Sequence, residues 1–263
     1  MRAHWTMAAL LPLALIACGP GDSDGDGLDN KLEEEIGTNP DSADTDGDGI
    51  GDMVEYNGAT DPTLADTDGD GFDDGVELED GTDATDPMSY TRGDDGVWPT
   101  LNALCSDDSS TGYAIGDRFL NLTGVDQFGA DVELEQFCGN VIMIDYSAGW
   151  CGPCKSVAVT AEAEYRNLAD KGFLIVHVMT GDWDSNEIKG DFLAEWADRY
   201  ELTFPVMEAS NADTALSGLS SSGLYRNAIP FMMLVDQDLN IVQAETGGGS
   251  EARLLATAET LLE

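Results

Sequence analysis

Positive charge is what this chain of 263 residues has least of: Lys and Arg number 11 against 52 Asp and Glu, for a net charge of −41. About half of the acids lie between Asp22 and Asp95, where the only basic residues are Lys31 and Arg92. A nucleic-acid partner is excluded on that ground, because phosphate contacts need clustered Lys and Arg. Long apolar runs are missing too. The run at 7–17 is too short to cross a bilayer as a stable helix. Cysteine is confined to five positions, 18, 105, 138, 151 and 154. Against these absences stands an ordinary hydrophobic content of 42%, concentrated behind the acidic stretch. The chain therefore divides into an acidic front part and an apolar-rich rear part long enough to build a core.

The first residues read as an address for export. Arg2 precedes the apolar run, which ends in Leu15-Ile16-Ala17-Cys18 and passes at once into Gly19-Pro20-Gly21-Asp22. This ending resembles the bacterial lipobox, in which small residues precede a cysteine that is lipidated after cleavage. The resemblance implies a signal peptide over 1–17, lipidation of Cys18 and a lipid bilayer as partner. It places the mature chain in the cell envelope, where disulfides persist. Gly19 does not resemble the aspartate that retains lipoproteins at the inner membrane, so the outer membrane is the expected address. The alternative is an ordinary signal peptide with a chance cysteine.

The acidic stretch is periodic. Asp22-Ser-Asp24-Gly-Asp26-Gly27 recurs as Asp44-Thr-Asp46-Gly-Asp48-Gly49 and as Asp66-Thr-Asp68-Gly-Asp70-Gly71, and each block has an acid at its twelfth position: Glu33, Glu55 and Glu77. Carboxylates at positions 1, 3 and 5, a turn-making glycine at 6 and a glutamate at 12 suit a hard, oxygen-seeking cation. Leu28, Ile50 and Phe72 hold position 7, where the backbone carbonyl is the expected ligand, and Asp52 and Asp74 hold position 9. The first block has Asn30 at position 9 and Asp29 one place earlier, so its shell is expected to differ. The blocks resemble thrombospondin type 3 calcium-binding repeats more than paired EF-hands, and the resemblance implies a Ca²⁺-stiffened stalk over 18–89. A flexible acidic linker that never orders is the bland alternative.

A polar linker is expected over 90–112, and beyond it strands and helices alternate. The apolar runs at 141–144 and 173–179 read as strands buried on both faces. Helices are expected over 157–168, over 185–200 with Ser185 as N-cap, and over 251–262; two further strands are expected at 231–235 and 241–244. This alternation predicts an α/β domain over 113–263, a mixed sheet flanked by helices.

Between the first strand and the first helix lies Asp145-Tyr146-Ser147-Ala148-Gly149-Trp150-Cys151-Gly152-Pro153-Cys154-Lys155. A bare C-x-x-C would serve zinc equally well. With a buried strand before it, Trp150 beside it, Gly-Pro inside it and a helix after it, the segment resembles the thioredoxin superfamily, in particular its exported TlpA-like and redoxin branches. The resemblance implies a thioredoxin-like fold and thiol–disulfide exchange without a cofactor. It makes Cys151 the nucleophile, Cys154 the resolving thiol, Asp145 the buried acid and Trp150 the shielding indole. Pro230, after Ile229, is the expected cis-proline facing the pair. It further implies an inserted strand–helix segment over about 173–200, and an N-terminal hairpin from 116–122 with 132–137. Protein disulfides are the expected substrates, and a membrane or periplasmic thiol the electron donor. A thiol peroxidase of the peroxiredoxin type is disfavoured: Ala148 stands where a Thr is needed, and no Pro lies between Pro99 and Pro153. The rival reading is a calcium-stiffened surface lipoprotein whose rear domain only docks partners. Cys105 and Cys138 flank the first strand region and are expected to form a structural disulfide, although a relay role for Cys138 stays open. His177 reads as a packed strand residue, and Trp183 and Trp196 as core or groove residues.

Overall fold

A computed structural model of the chain describes residues 21–87, 89, 98–101, 104 and 111–263. Two compact units emerge. One runs to Thr67 and takes in Asp73–Gly75, and the other comprises Asp68–Phe72 and Val76–Glu263. The acidic blocks build three short helices, α1 (Asn30–Ile36), α2 (Asp52–Asn57) and α3 (Asp74–Asp80). Each block enters its turn through a left-handed glycine at position 6, with φ of 110° at Gly27, 102° at Gly49 and 99° at Gly71. Side-chain carboxylates fold these turns back on themselves: Asp26 Oδ1 accepts from the Leu28 amide at 2.8 Å, and Asp48 Oδ1 from the Ile50 amide at 2.7 Å.

In the larger unit a seven-stranded sheet is assembled from β1 (Thr123–Asp126), β2 (Asp131–Glu133), β3 (Val141–Ser147), β4 (Phe173–Met179), β5 (Val206–Ala209), β6 (Phe231–Val235) and β7 (Ile241–Thr246), in the order β2-β1-β5-β4-β3-β6-β7. Strands β3, β4 and β5 run parallel, while β6 and β7 on one side and β1 and β2 on the other are antiparallel. The helices α4 (Gly152–Leu168), α5 (Phe192–Tyr200), α6 (Ala212–Ser222) and α7 (Glu251–Leu261) alternate with the strands from β3 onward. This is the thioredoxin-like arrangement, and β3, β4 and β6 are buried at every position as central strands should be.

Several expectations are corrected. Phe173–Met179 is no insertion: β4 is hydrogen-bonded between β3 and β5 at the middle of the sheet. The helix expected from Ser185 starts at Phe192, because the Ser185 amide and hydroxyl are both engaged by Asp182 Oδ1, at 2.8 and 3.1 Å, in a side-chain-closed turn. At the start of α7, Ser250 holds the N-cap position without a side-chain cap, its hydroxyl donating back to the Gly247 carbonyl at 2.7 Å. The hairpin pairs Thr123–Asp126 with Asp131–Glu133, later than expected. Its turn is held by Asp126 Oδ1, which accepts from the Phe128 and Ala130 amides at 2.9 Å each. The stretch at 116–122 contributes only isolated bridges through Arg118 and buries Phe119 and Leu122.

The described part of the expected linker is anchored. Trp98 and Leu101 are buried, the Trp98 indole donates to Asp126 Oδ2 at 2.6 Å, and the Leu101 amide donates to the Gln136 carbonyl at 2.7 Å. No helix among the described residues is long and apolar enough to cross a membrane.

Candidate redox site and acidic cation sites

Strand β3 ends at Ser147, and the next turn delivers Cys151 to the start of α4. The Gly149 amide donates to the Gly181 carbonyl at 3.0 Å. A Cβ at Gly149 would lie 2.7 Å from the Phe192 ring and 2.8 Å from the Asp182 carbonyl, so only glycine fits this close approach. Opposite, the Asp182 loop is closed by hydrogen bonds from the Asp184 amide, then from Ser185, which together hold the half-buried Asp182 carboxyl below its ordinary range.

Cys151 and Cys154 are disulfide-bonded, with S–S at 2.04 Å and Cα atoms 5.3 Å apart. Cys151 is the N-cap of α4, its Sγ accepting the Cys154 amide at 3.2 Å, and Pro153 occupies the first turn, where its missing N–H is no loss. Both sulfurs are buried, clustered with Ala148 and packed by Ile229. The Ile229 carbonyl oxygen lies 3.8 Å from Cys151 Sγ, and the Ile229–Pro230 peptide bond is cis. Trp150, 47% exposed, stands beside the pair, with its indole nitrogen abutting Gly181. Lys155 reaches over the Trp183 ring at 5.5 Å, with Arg199 over the same ring at 4.4 Å.

Asp145 is fully buried in β3, directly across from His177 of β4. Ser147 Oγ donates to its Oδ2 at 2.9 Å, while Oδ1 meets no donor. His177 Nε2 lies 2.9 Å from the same Oδ2, with the ring N–H off the line between them. On the far edge of the ring, the Trp196 indole donates to His177 Nδ1 at 3.3 Å. Sequence reading took His177 for a packed strand residue and missed this partnership. The signal was present in the register: two buried strands of equal length, each with one polar residue at its fifth position.

In the acidic blocks, Asp22, Asp24 and Asp26 bring carboxylate oxygens within 4.8 Å of one another, and so do Asp44, Asp46 and Asp48. The third block repeats the cluster with Asp66, Asp68 and Asp70. Glu33, at position 12 of the first block, is fully buried and neither of its oxygens meets a donor; one oxygen each of Asp24, Asp26 and Asp46 is in the same condition. Burial, followed by repulsion from Asp24, Asp26, Asp52 and Asp22, pushes the Glu33 carboxyl up to about 7. Glu55 is raised to about 7 by burial and then by Asp46 and Asp48. Buried carboxylates crowded together as an all-oxygen donor set, with few donors among the described residues to offset their charge, fit a divalent cation such as Ca²⁺.

The position-9 acids have a second duty. Asp52 accepts from both the amide and hydroxyl of Thr45, at 2.7 Å each, and Asp74 does the same for Thr67 at 2.8 and 2.6 Å. Asp74 also comes within 4.8 Å of Asp48 and Glu55, so it faces the cluster of the preceding block. Asp29 of the first block is the N-cap of α1, accepting from the Lys31 and Leu32 amides. Glu77 is buried in α3, and Leu28 is buried in its turn, with Ile50 and Phe72 at the matching places in the other two. Cys18 lies outside the described residues, as does Cys105; Cys138 is buried and disulfide-bonded, and the expected Cys105–Cys138 pairing therefore falls outside them too.

Redoxin is the family that matches residues 114–262, and the bacterial TSP3 repeat matches 22–41, 44–65 and 66–87. The chain is 26% identical over 140 residues to the thiol-disulfide oxidoreductase ResA of Bacillus cereus, covering 53% of this chain and 74% of the relative. It is 24% identical over 136 residues to ResA of Halalkalibacterium halodurans, covering 52% and 70%. Among solved structures, the thioredoxin domain of a thiol-disulfide oxidoreductase from Bacteroides vulgatus superposes with a TM-score of 0.46 at 23% identity, covering 57% of this chain and 99% of that one.

Proposed function

Because the chain belongs to the Redoxin family, we propose that Cys151 and Cys154 are the working pair of a thiol–disulfide oxidoreductase that acts on protein disulfides outside the cytoplasm. The observation that carries this reading is the disulfide seated at the first turn of α4, with Cys151 as the N-cap. Once reduced, Cys151 sits where unpaired backbone N–H groups and the helix dipole favour a thiolate. That thiolate attacks a substrate disulfide, forming a bond to one substrate sulfur and expelling the other as a thiolate. Cys154 then loses its proton and attacks Cys151 Sγ, which releases the second substrate sulfur and regenerates the Cys151–Cys154 disulfide. Asp145 is the acceptor of the Cys154 proton, and a thiol donor in the membrane or periplasm re-reduces the pair. Trp150 shields the sulfurs, and the Ile229–Pro230 turn is the surface along which a substrate backbone lies.

The stalk is a Ca²⁺ binder in this reading. Asp22, Asp24, Asp26 and Glu33 would hold one ion, Asp44, Asp46, Asp48 and Glu55 with Asp74 a second, and Asp66, Asp68, Asp70 and Glu77 a third. The backbone carbonyls of Leu28, Ile50 and Phe72 would complete the shells. A bound ion supplies the positive charge that lets these carboxylates share a small volume. A lipid on Cys18 tethers the whole to the envelope membrane, the outer membrane being favoured.

Insulin reduction with a dithiol donor tests the redox reading. The full chain should catalyse it, and Cys151→Ser should abolish turnover. A wild-type protein that never turns over would leave only the docking role.

A further inference from the structure

Apart from the redox pair, the most unusual chemistry in the larger unit is a polar chain sealed inside the sheet. It runs from Trp196 of α5 through His177 of β4 to Asp145 of β3, and its imidazole and carboxylate are buried from solvent. We propose that His177 is a positioning residue for the exchange reaction: held by Trp196 as the neutral tautomer with its proton on Nε2, it fixes Asp145 so that Oδ1 is the oxygen that receives the Cys154 proton. The inference rests on the reading above in which Asp145 takes that proton.

The tautomer follows from the donors. An indole N–H can only donate, so its contact with Nδ1 requires a lone pair there, and the single ring proton is left on Nε2, toward the carboxylate. Protonating the imidazole as well would turn Nδ1 into a donor facing a donor inside the buried interior. The carboxylate is in turn asymmetric. Oδ2 receives Ser147 Oγ at 2.9 Å and has Nε2 at 2.9 Å, whereas Oδ1 meets no donor among the described residues. The oxygen without a donor is the one open to an incoming proton.

The groups facing the imidazole are Asp145 and Ser147 from β3, Trp196 from α5 and the Phe204 ring, which stands edge-on at 5.2 Å; β5 presents Val206 as its strand partner. Met232 of β6 lies across from Asp145 on the other side. Helix α4 packs over β4 and carries Cys154 and Tyr165, the latter edge-on to Phe204. In the resolving step the Cys154 thiol gives its proton to Asp145 Oδ1, the Cys154 sulfur bonds to Cys151, and the bond from Cys151 to the substrate sulfur breaks. The electron pair leaves with the substrate thiolate.

The test is the pH profile of single-turnover resolution of a mixed disulfide on the full chain, with His177→Phe, His177→Gln and Asp145→Asn compared. Removing the imidazole takes away the ring nitrogen that stands 2.9 Å from Oδ2 and leaves the carboxylate with one polar neighbour fewer, so the midpoint of the His177→Phe profile should move to higher pH. His177→Gln, which can still donate, should recover part of that shift. If Asp145→Asn moves the profile and His177→Phe does not, this inference fails and the Asp145 reading stands. If Asp145→Asn leaves the profile unmoved, the Asp145 reading itself fails. Should the His177 variants not fold, nitrogen-15 spectra of the wild-type imidazole decide. A proton on Nε2 with a bare Nδ1 supports the proposal, and a proton on Nδ1 overturns it.

Discussion

Stripping divalent ions from the acidic blocks at pH 8 should cost the smaller unit its fold, and acidifying to pH 5 should return part of what was lost. Glu33 and Glu55 are buried, and without a cation their carboxyls are raised from 4.5 to about 7. A raised folded-state value means that the ion-free fold binds protons more tightly than the unfolded chain does. The associated stability is complete below about 4.5 and is lost as pH climbs through about 7. The shift corresponds to at most about 3 kcal/mol for each glutamate. Repulsion among Asp48, Glu55 and Asp74, whose oxygens lie within 4.8 Å of one another, is of the same order, about 3 kcal/mol for a charged pair at an effective dielectric near 20. Thermal unfolding of the full chain, followed by circular dichroism with calcium or with chelator at pH 5 and 8, reads this directly, and the transition of the sheet domain serves as internal control. With calcium the first transition should be nearly independent of pH. With chelator it should be weaker at pH 8 than at pH 5. A chelated protein that melts at the same temperature at both values, or higher at pH 8, would refute the electrostatic account; indifference to calcium would refute the cation sites.

Glu55→Gln removes one of these crowded charges, so the ion-free second block should become more stable while calorimetry registers weaker binding or one ion fewer. Gly149→Ala pushes a methyl group against Phe192 and the Asp182 carbonyl; the variant should lose about 1–3 kcal/mol in chemical denaturation and slow exchange by displacing the turn that carries Cys151. Trp98→Phe keeps the ring but strips the buried Asp126 Oδ2 of its indole donor, which should cost about 1–3 kcal/mol in the same assay.

The redox motif and the acidic blocks were legible because their chemistry is local: one turn of chain sets the C-x-x-C geometry, and twelve residues enclose one cation cluster. Strands β4 and β6 were legible to the residue, since each is a short apolar-rich run with a chain breaker, Gly172 or Pro230, directly before it. The misses have physical causes. Helix α6, Ala-Asp-Thr-Ala-Leu-Ser-Gly-Leu-Ser-Ser-Ser, is built largely from weak helix formers and owes its place to burying Ala215 and Leu219 one turn apart. Strand β5 has four residues, too few for a pattern to declare itself. The start of α5 was misread because Ser185 carries the chemistry of a cap but spends it on the Asp182 turn. The Asp145–His177 contact joins residues 32 positions apart and exists only once two strands are in register.

The anchoring of Trp98 and Leu101 changes how the larger unit should be handled. A fragment begun at Tyr113, where the alternating pattern of strands and helices begins, would leave out an indole that closes part of the core and supplies the partner of a buried carboxylate. It would also uncover the ring faces of Phe128 and Phe137, which Trp98 meets at 6.2 and 6.1 Å. Such a fragment should aggregate on expression, whereas one begun a few residues ahead of Trp98 should stay in solution.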